Sequence, residues 1–325
     1  MKREKTKLIT SIGGQALIEG IMMRGPKKST IAVRKSDGSI ELEEIKPLDW
    51  GKKHKLLRLP FVRGVVNMID SLVTGEKALM KSADKALDGE EEPEVKPSKL
   101  DMWLEKTFGD KILNIVMIIS TIIAVIFCIG VFYFTPTWLF NYSAEVLTFM
   151  KSPVLGMERF WQSAYEGVIR IILFLIYMCL CTLNKDVKRV FQYHGAEHKT
   201  IFCYEYGLEL NVENVKKQTR FHPRCGTSFM VLMLIVGIII GLFIPINHPV
   251  IRPVVKFCLL PVTVGIGYEL IKICGRHDNF LTRLIAAPGL WMQRITTKEP
   301  DEKMIEVAIE AMKDVIPENG EDRIK

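Results

Sequence analysis

A chain of 325 residues, 48% of them hydrophobic and 25% charged, is long enough for two domains, and the two residue classes must be segregated along it. Its formal net charge of +7 reads as loop topology and attraction to a membrane surface before it reads as nucleic-acid binding, so no nucleic-acid partner is expected. No internal repeat is visible.

The first hundred residues look soluble. The segment GGQALIEGIMMRGPKK carries Gly13, Gly14, Gly20 and Gly25. These do not make a phosphate-cradling loop, because no Lys-Ser or Lys-Thr follows at the required spacing. Glu19 and Arg24 in that segment are candidates for a polar ligand site, weighed against an exposed ion pair. The next stretch, STIAVRKSDGSIELEEI, alternates on both sides of Asp37-Gly38 and predicts a β-hairpin with its turn there. From Phe61 to Leu87 the apolar positions Val62, Val65, Val66, Ile69, Leu72, Val73, Leu79, Met80, Ala83 and Leu87 recur at helical spacing and predict a long amphipathic helix. Residues 1–90 are therefore expected to form a small α+β cytoplasmic module. Residues 91–111, which include most of the acidic, proline-bearing DGEEEPEVKPSK, are expected to be a charged linker and membrane approach.

Residues 112–274 read as a membrane domain of about four transmembrane helices, so the fold class expected is an α-helical polytopic membrane protein. Ile112 to Phe134 is a run without a single charge, enough to cross a hydrocarbon core of about 30 Å. It begins past residue 100 and follows the charged linker, which a cleaved signal peptide would not. Val168–Leu183, Phe229–Ile246 and Val254–Ile273 follow. The second is short and holds Arg170, and the fourth holds Lys256 and Glu269 near its ends, so a re-entrant or interfacial course is the alternative for these two. Lys and Arg number 22 before the first span, two between the first and second, eight between the second and third, and nine from Lys272 onward. Positive loops are retained inside, so both termini and the loop 184–228 are expected in the cytoplasm of a multi-pass protein of the inner (plasma) membrane, with the lipid bilayer as its first partner. Residues 275–325 form the cytoplasmic tail, with an amphipathic helix from Asp301 to Ile316.

The loop 184–228 carries the densest chemistry. In YHGAEHKTI, His194 and His198 stand at i and i+4 on one helical face with Glu197 beside them. That order is the inverted form of the zinc-peptidase motif, in which the glutamate activates water on the metal. Zinc ordinarily takes three protein ligands plus water, or four protein ligands. HPRCGTSF supplies further donors, His222 and Cys225, on a turn favoured by Pro223. Taken alone, the five-residue pattern is a polar helix end more often than a metal site; the second segment raises the metal reading above it. Of the seven cysteines only Cys203 and Cys225 fall in this loop, and in a reducing compartment a disulfide between them is not expected.

The segments GGQALIEGIMMRGP, YHGAEHKTI, HPRCGTSF and APGLWMQRITTKEP together resemble a bacterial family, the YqhQ-type membrane proteins. This is a domain family of unknown function whose members are labelled predicted metal-dependent enzymes. The resemblance covers nearly the whole chain and implies a polytopic membrane protein with a metal site, without a substrate or reaction. The reading preferred from the residues is a metal-dependent hydrolase at the cytoplasmic membrane surface. In it zinc is held by His194, His198 and either His222 or Cys225, with Glu197 as general base. The rival is a non-catalytic adaptor or regulator that binds another membrane complex, such as secretion or membrane-protein quality-control machinery, with the histidines and Cys225 bracing the loop.

Overall fold

The computed structural model describes residues 8–46, 55–87, 112–146, 157–277 and 279–324. The expected linker 91–111 lies outside the described residues. The chain is mostly helical, with a small antiparallel sheet at its N-terminal end. It divides into two compact units, Met1–Gly89 with Leu175–Val236 and Leu260–Lys325, and Glu90–Phe174 with Gly237–Leu259.

In the first unit, β1 (Gly13–Leu17), β2 (Gly20–Arg24), β3 (Ser29–Arg34) and β4 (Ile40–Ile45) form a meander in sequence order. The β3–β4 hairpin turns at Asp37-Gly38, as the alternation predicts. Gly38 takes φ +88°, and the Asp37 carboxylate accepts from the Ser39 amide at 2.8 Å. The β1–β2 hairpin carries no Asn-Gly or Asp-Gly signal; Leu17 pairs with Gly20 across a two-residue turn in which Glu19 itself takes φ +48°.

Strand alternation gives the sheet two apolar faces. Leu17, Met22, Ile31, Val33 and Ile45 pack with Ala78 of α1 (Val62–Leu87). Ile21, Met23 and Ala32 pack on the other side with Tyr193, Ala196 and Ile201 of α5 (Lys185–Glu205) and with Met304, Ala308 and Met312 of α11 (Glu302–Val315). The helix expected at Asp301–Ile316 is thus present as α11, but its apolar face closes the core over the N-terminal sheet. Asp301 caps it by accepting from the Met304 amide at 2.8 Å.

The expected first span begins at α2 (Ile112–Ile129) and continues past Phe134 through a π-turn, Gly130–Phe134, into α3 (Thr135–Val146). The second is α4 (Met157–Cys181), longer than its apolar run. Among the described residues two helices are long and apolar enough to cross a membrane, Ile118–Val146 and Phe160–Cys181. A third qualifies only if α8 (Ile251–Cys258) and the start of α9 (Leu260–Arg276) count as one broken span. The expected third span is α7 (Gly226–Leu242), apolar but only 17 residues, which reaches about 25 Å. The remaining elements are α6 (Val212–Lys216) and α10 (Phe280–Thr296), the latter a second helix within residues 275–325, where the sequence predicts one only from Asp301 to Ile316. Glu269 on α9 pairs with Arg63 of α1.

Candidate metal centre

The α5 helix starts where Asn184 accepts from the amides of Asp186 and Val187, and its middle is held against the C-terminal segment. A Cβ on Gly195 would stand 2.0 Å from the carbonyl oxygen of Lys298, so only a glycine lets the two backbones meet there. The Lys298 amide donates to the Phe191 carbonyl at 2.8 Å, and Glu299 pairs with Lys199 and Arg220. APGLWMQRITTKEP is therefore brought against YHGAEHKTI.

His194 and His198 share one helical face, their ring centroids 4.4 Å apart. Each ring is aimed by a backbone carbonyl: Nδ1 of His194 lies 2.9 Å from the Thr296 oxygen, and Nδ1 of His198 lies 2.5 Å from that of Arg220. With each Nδ1 placed on a carbonyl, Nε2 is the ring atom left to face an ion, the orientation of a metal-ligating histidine once its proton is displaced. Nε2 of His194 meets Sγ of Cys225 at 3.1 Å. His194, His198 and Cys225 each offer a donor atom, all within 4.8 Å of one another. A tetrahedral zinc with bonds of about 2.0–2.3 Å spaces its donors roughly 3.5 Å apart, so these residues fit an ion with small side-chain adjustments.

His222 lies beside this group without joining it. Its ring is 5.5 Å from that of His198 and 4.7 Å from that of Phe202, and its Nε2 faces Glu205 and Arg224. Gln293 of α10 clamps its backbone, accepting from the His222 amide at 2.7 Å and donating to its carbonyl at 2.6 Å.

The charges follow from this packing. Burial pushes the Cys225 thiol up, but the neighbouring His194 and His198 outweigh it and hold it well below the ordinary thiol range. Burial opposes a charged His194, yet the Cys225 thiolate raises it to about 9. Burial raises Glu197 against the pull of both histidines. Burial drives His222 down to about 4, although Glu205 pulls it upward. Glu197 is 5% exposed; it is held by the backbone amide of Gly14, and its Oε2 has no hydrogen-bond partner among the described residues. A Cβ on Gly14 would stand 2.9 Å from the Glu197 carboxyl carbon, so the glycine makes room for the carboxylate.

Residues 59–318 match the family model described as protein of unknown function (DUF1385). The chain is also 33% identical over 319 residues to the uncharacterized protein YqhQ of Bacillus subtilis (strain 168), covering 96% of this chain and 94% of that one. This chain belongs to the DUF1385 family. No solved structure matches it.

In this DUF1385 chain the other two sequence candidates part company. Glu19, in the β1–β2 turn, accepts from Arg189 and from the Tyr193 hydroxyl of α5. Arg24, at the far end of β2, pairs with Asp70 of α1 and lines a pocket of about 430 Å³ with Ser11, Gly13, Gly14 and Gln15. Sequence reasoning assigned no role to Gly14, Gln293 or Thr296. All three lie in the quoted segments GGQALIEGIMMRGP and APGLWMQRITTKEP, but Gln293 shares the buried side of α10 with Thr282, Gly289, Met292 and Thr296, so its amide does not stand out from the sequence alone. The Thr296 contribution is a backbone carbonyl, which side-chain identity does not announce.

Proposed function

We propose that this protein is a metal-dependent hydrolase working at a membrane surface, with zinc as the ion. The observation that carries the proposal is the convergence of two carbonyl-aimed imidazoles and a thiolate next to a buried carboxylate with one unpartnered oxygen. His194, His198 and Cys225 hold the ion, three protein ligands in the manner of catalytic zinc sites. When bound, the ion would polarise a carbonyl and make a water acidic enough to attack near neutral pH. Glu197, raised by burial, takes the proton from the attacking water and returns it to the leaving group. The Thr296 and Arg220 carbonyls aim the two histidines, and Gln293 clamps the backbone of His222 in the turn that leads to Cys225. The substrate class that suits such a site beside apolar helices is a membrane peptide or a lipid-linked amide or ester.

The packing of α11 and α5 on β2, β3 and β1 supports a topology with both termini and residues 184–228 on one side, the cytoplasmic one by the basic-residue counts. Four membrane crossings remain part of this reading, with α7 the shortest.

Metal content of the purified full chain, with thiol labelling of Cys225 before and after chelation, tests the site. About one zinc per chain is expected, shielding Cys225 until it is removed. His198→Ala should lose the ion. Glu197→Gln should keep it and abolish hydrolysis in a panel of fluorogenic peptides and lipid esters, because a general base is lost without losing a ligand. No bound ion, with Cys225 equally reactive throughout, would overturn the metal reading. A retained ion with Glu197→Gln fully functional in cells would favour the adaptor that binds a membrane-protein partner.

A further inference from the structure

Helix α10 distributes its side chains inside out. The side turned to the protein carries Thr282, Gly289, Met292, Gln293 and Thr296, mostly small or polar residues. The opposite side carries Phe280, Leu281, Leu284 and Trp291, which are between 54% and 82% exposed. At about 3.6 residues per turn these four fall within one stripe about 100° wide. A helix on a water-facing surface buries its apolar side and exposes its polar one, so this stripe calls for an apolar medium outside the protein.

What borders the stripe indicates the occupant. Arg283 and Arg294, both exposed, stand about three helical turns apart and so lie along the same edge of it. The chain enters α10 from α9, an apolar helix that itself exposes Val262 and Ile273. An apolar stripe edged by arginines matches a bilayer, with acyl chains under the stripe and phosphates at its rim. Length and Pro288 decide the depth. The 17 residues of α10 reach about 25 Å, short of a hydrocarbon core of about 30 Å. Pro288, on the exposed side, has no amide hydrogen to give the Leu284 carbonyl. Water at the headgroups can serve that oxygen, and hydrocarbon cannot.

We propose that α10 is an in-plane membrane helix, lying flat at the boundary of headgroups and acyl chains with Phe280, Leu281, Leu284 and Trp291 turned into the lipid. The proposal stands without a bound ion. It sets the turn of His222 and Cys225, which Gln293 clamps from the other side of the same helix, about one helix diameter, roughly 10–12 Å, from the lipid.

The test uses the full chain in vesicles of phosphatidylcholine and phosphatidylglycerol. Wild-type protein is labelled with a lipid-soluble aryl diazirine and, separately, with a water-soluble one, and the adducts are mapped by mass spectrometry. Phe280, Leu281, Leu284 and Trp291 should take at least about fivefold more label from the lipid phase than from water, as a face set into acyl chains does. Label from water alone would overturn the proposal. So would label from neither phase, which would mean that protein, a second copy or a partner, covers the stripe. Depth is read by acyl-chain bromines quenching one tryptophan, either native Trp291 or Leu281→Trp combined with Trp291→Phe, in chains whose other tryptophans are replaced by Phe. Both positions should be quenched best by bromines near the headgroup end. Depths differing by about 15 Å, the helical rise between the two positions, would make α10 a crossing helix and reject the in-plane course. The wild-type labelling decides lipid contact whether or not these variants fold.

Discussion

At His222 the imidazole stands against Phe202 and beside Arg224, and burial brings it down to about 4 from 6.5. The unfolded chain therefore takes up a proton near pH 6.5 that the folded chain refuses, and stability falls as pH drops from 6.5 towards 4. The full loss is about 3 kcal/mol. Glu205, held below its ordinary value against burial by His222 and Arg224, acts in the same direction at lower pH. Urea midpoints measured between pH 7 and pH 4 should slope accordingly, and His222→Asn should flatten the upper part of that slope. An unchanged slope in the variant would mean that another group titrates there. The same residue illustrates a limit of motif reading, since its ring faces Glu205 and Arg224 while Cys225, three positions on, meets His194.

Elements meet in this protein where side chains are absent. Gly195 admits the Lys298 carbonyl and Gly289 of α10 admits Ser228, each at a distance a Cβ would not allow. Gly195→Ala should cost about 1–3 kcal/mol through forced separation of the two backbones. It should also loosen His194, whose Nδ1 rests on Thr296 in the same segment. The unfolding temperature of that variant should fall, and on the proposed metal reading its zinc content should fall with it. For α11, Met304, Ile305, Val307, Ala308, Ala311 and Met312 are all buried. A large apolar side chain fully buried contributes about 1.5–3 kcal/mol, so a chain ending at Pro300 should lose the sheet. Fast amide exchange throughout β2 and β3 in that truncated chain is the expected readout; protected amides there would show that the sheet stands without α11.

For the whole molecule, the N-terminal sheet, the middle helix α5 and the C-terminal helix α11 share one core, and a core cannot be assembled from opposite sides of a bilayer. In intact cells a thiol introduced by Glu209→Cys, at an exposed position just beyond α5, should resist a membrane-impermeant reagent and react after permeabilisation. Labelling without permeabilisation would reverse the orientation deduced from the basic residues.

What the sequence by itself determined is what depends on short-range periodicity. The Asp37-Gly38 hairpin, the helix of Val62–Leu87, the apolar helices, the amphipathic α11, and the placing of His194 and His198 on one face all follow from residues a few positions apart. What only the tertiary structure decided depends on contacts between distant segments. Cys225 meets His194 across 31 positions, and the carbonyl that aims His194 comes from 102 positions away. The Gly14 amide reaches Glu197 from the strand β1 near the N-terminus. The β1–β2 hairpin belongs with these: its turn places Glu19 at positive φ without a glycine or asparagine to signal it, and Arg189 and Tyr193 of α5 hold that carboxylate from outside the hairpin.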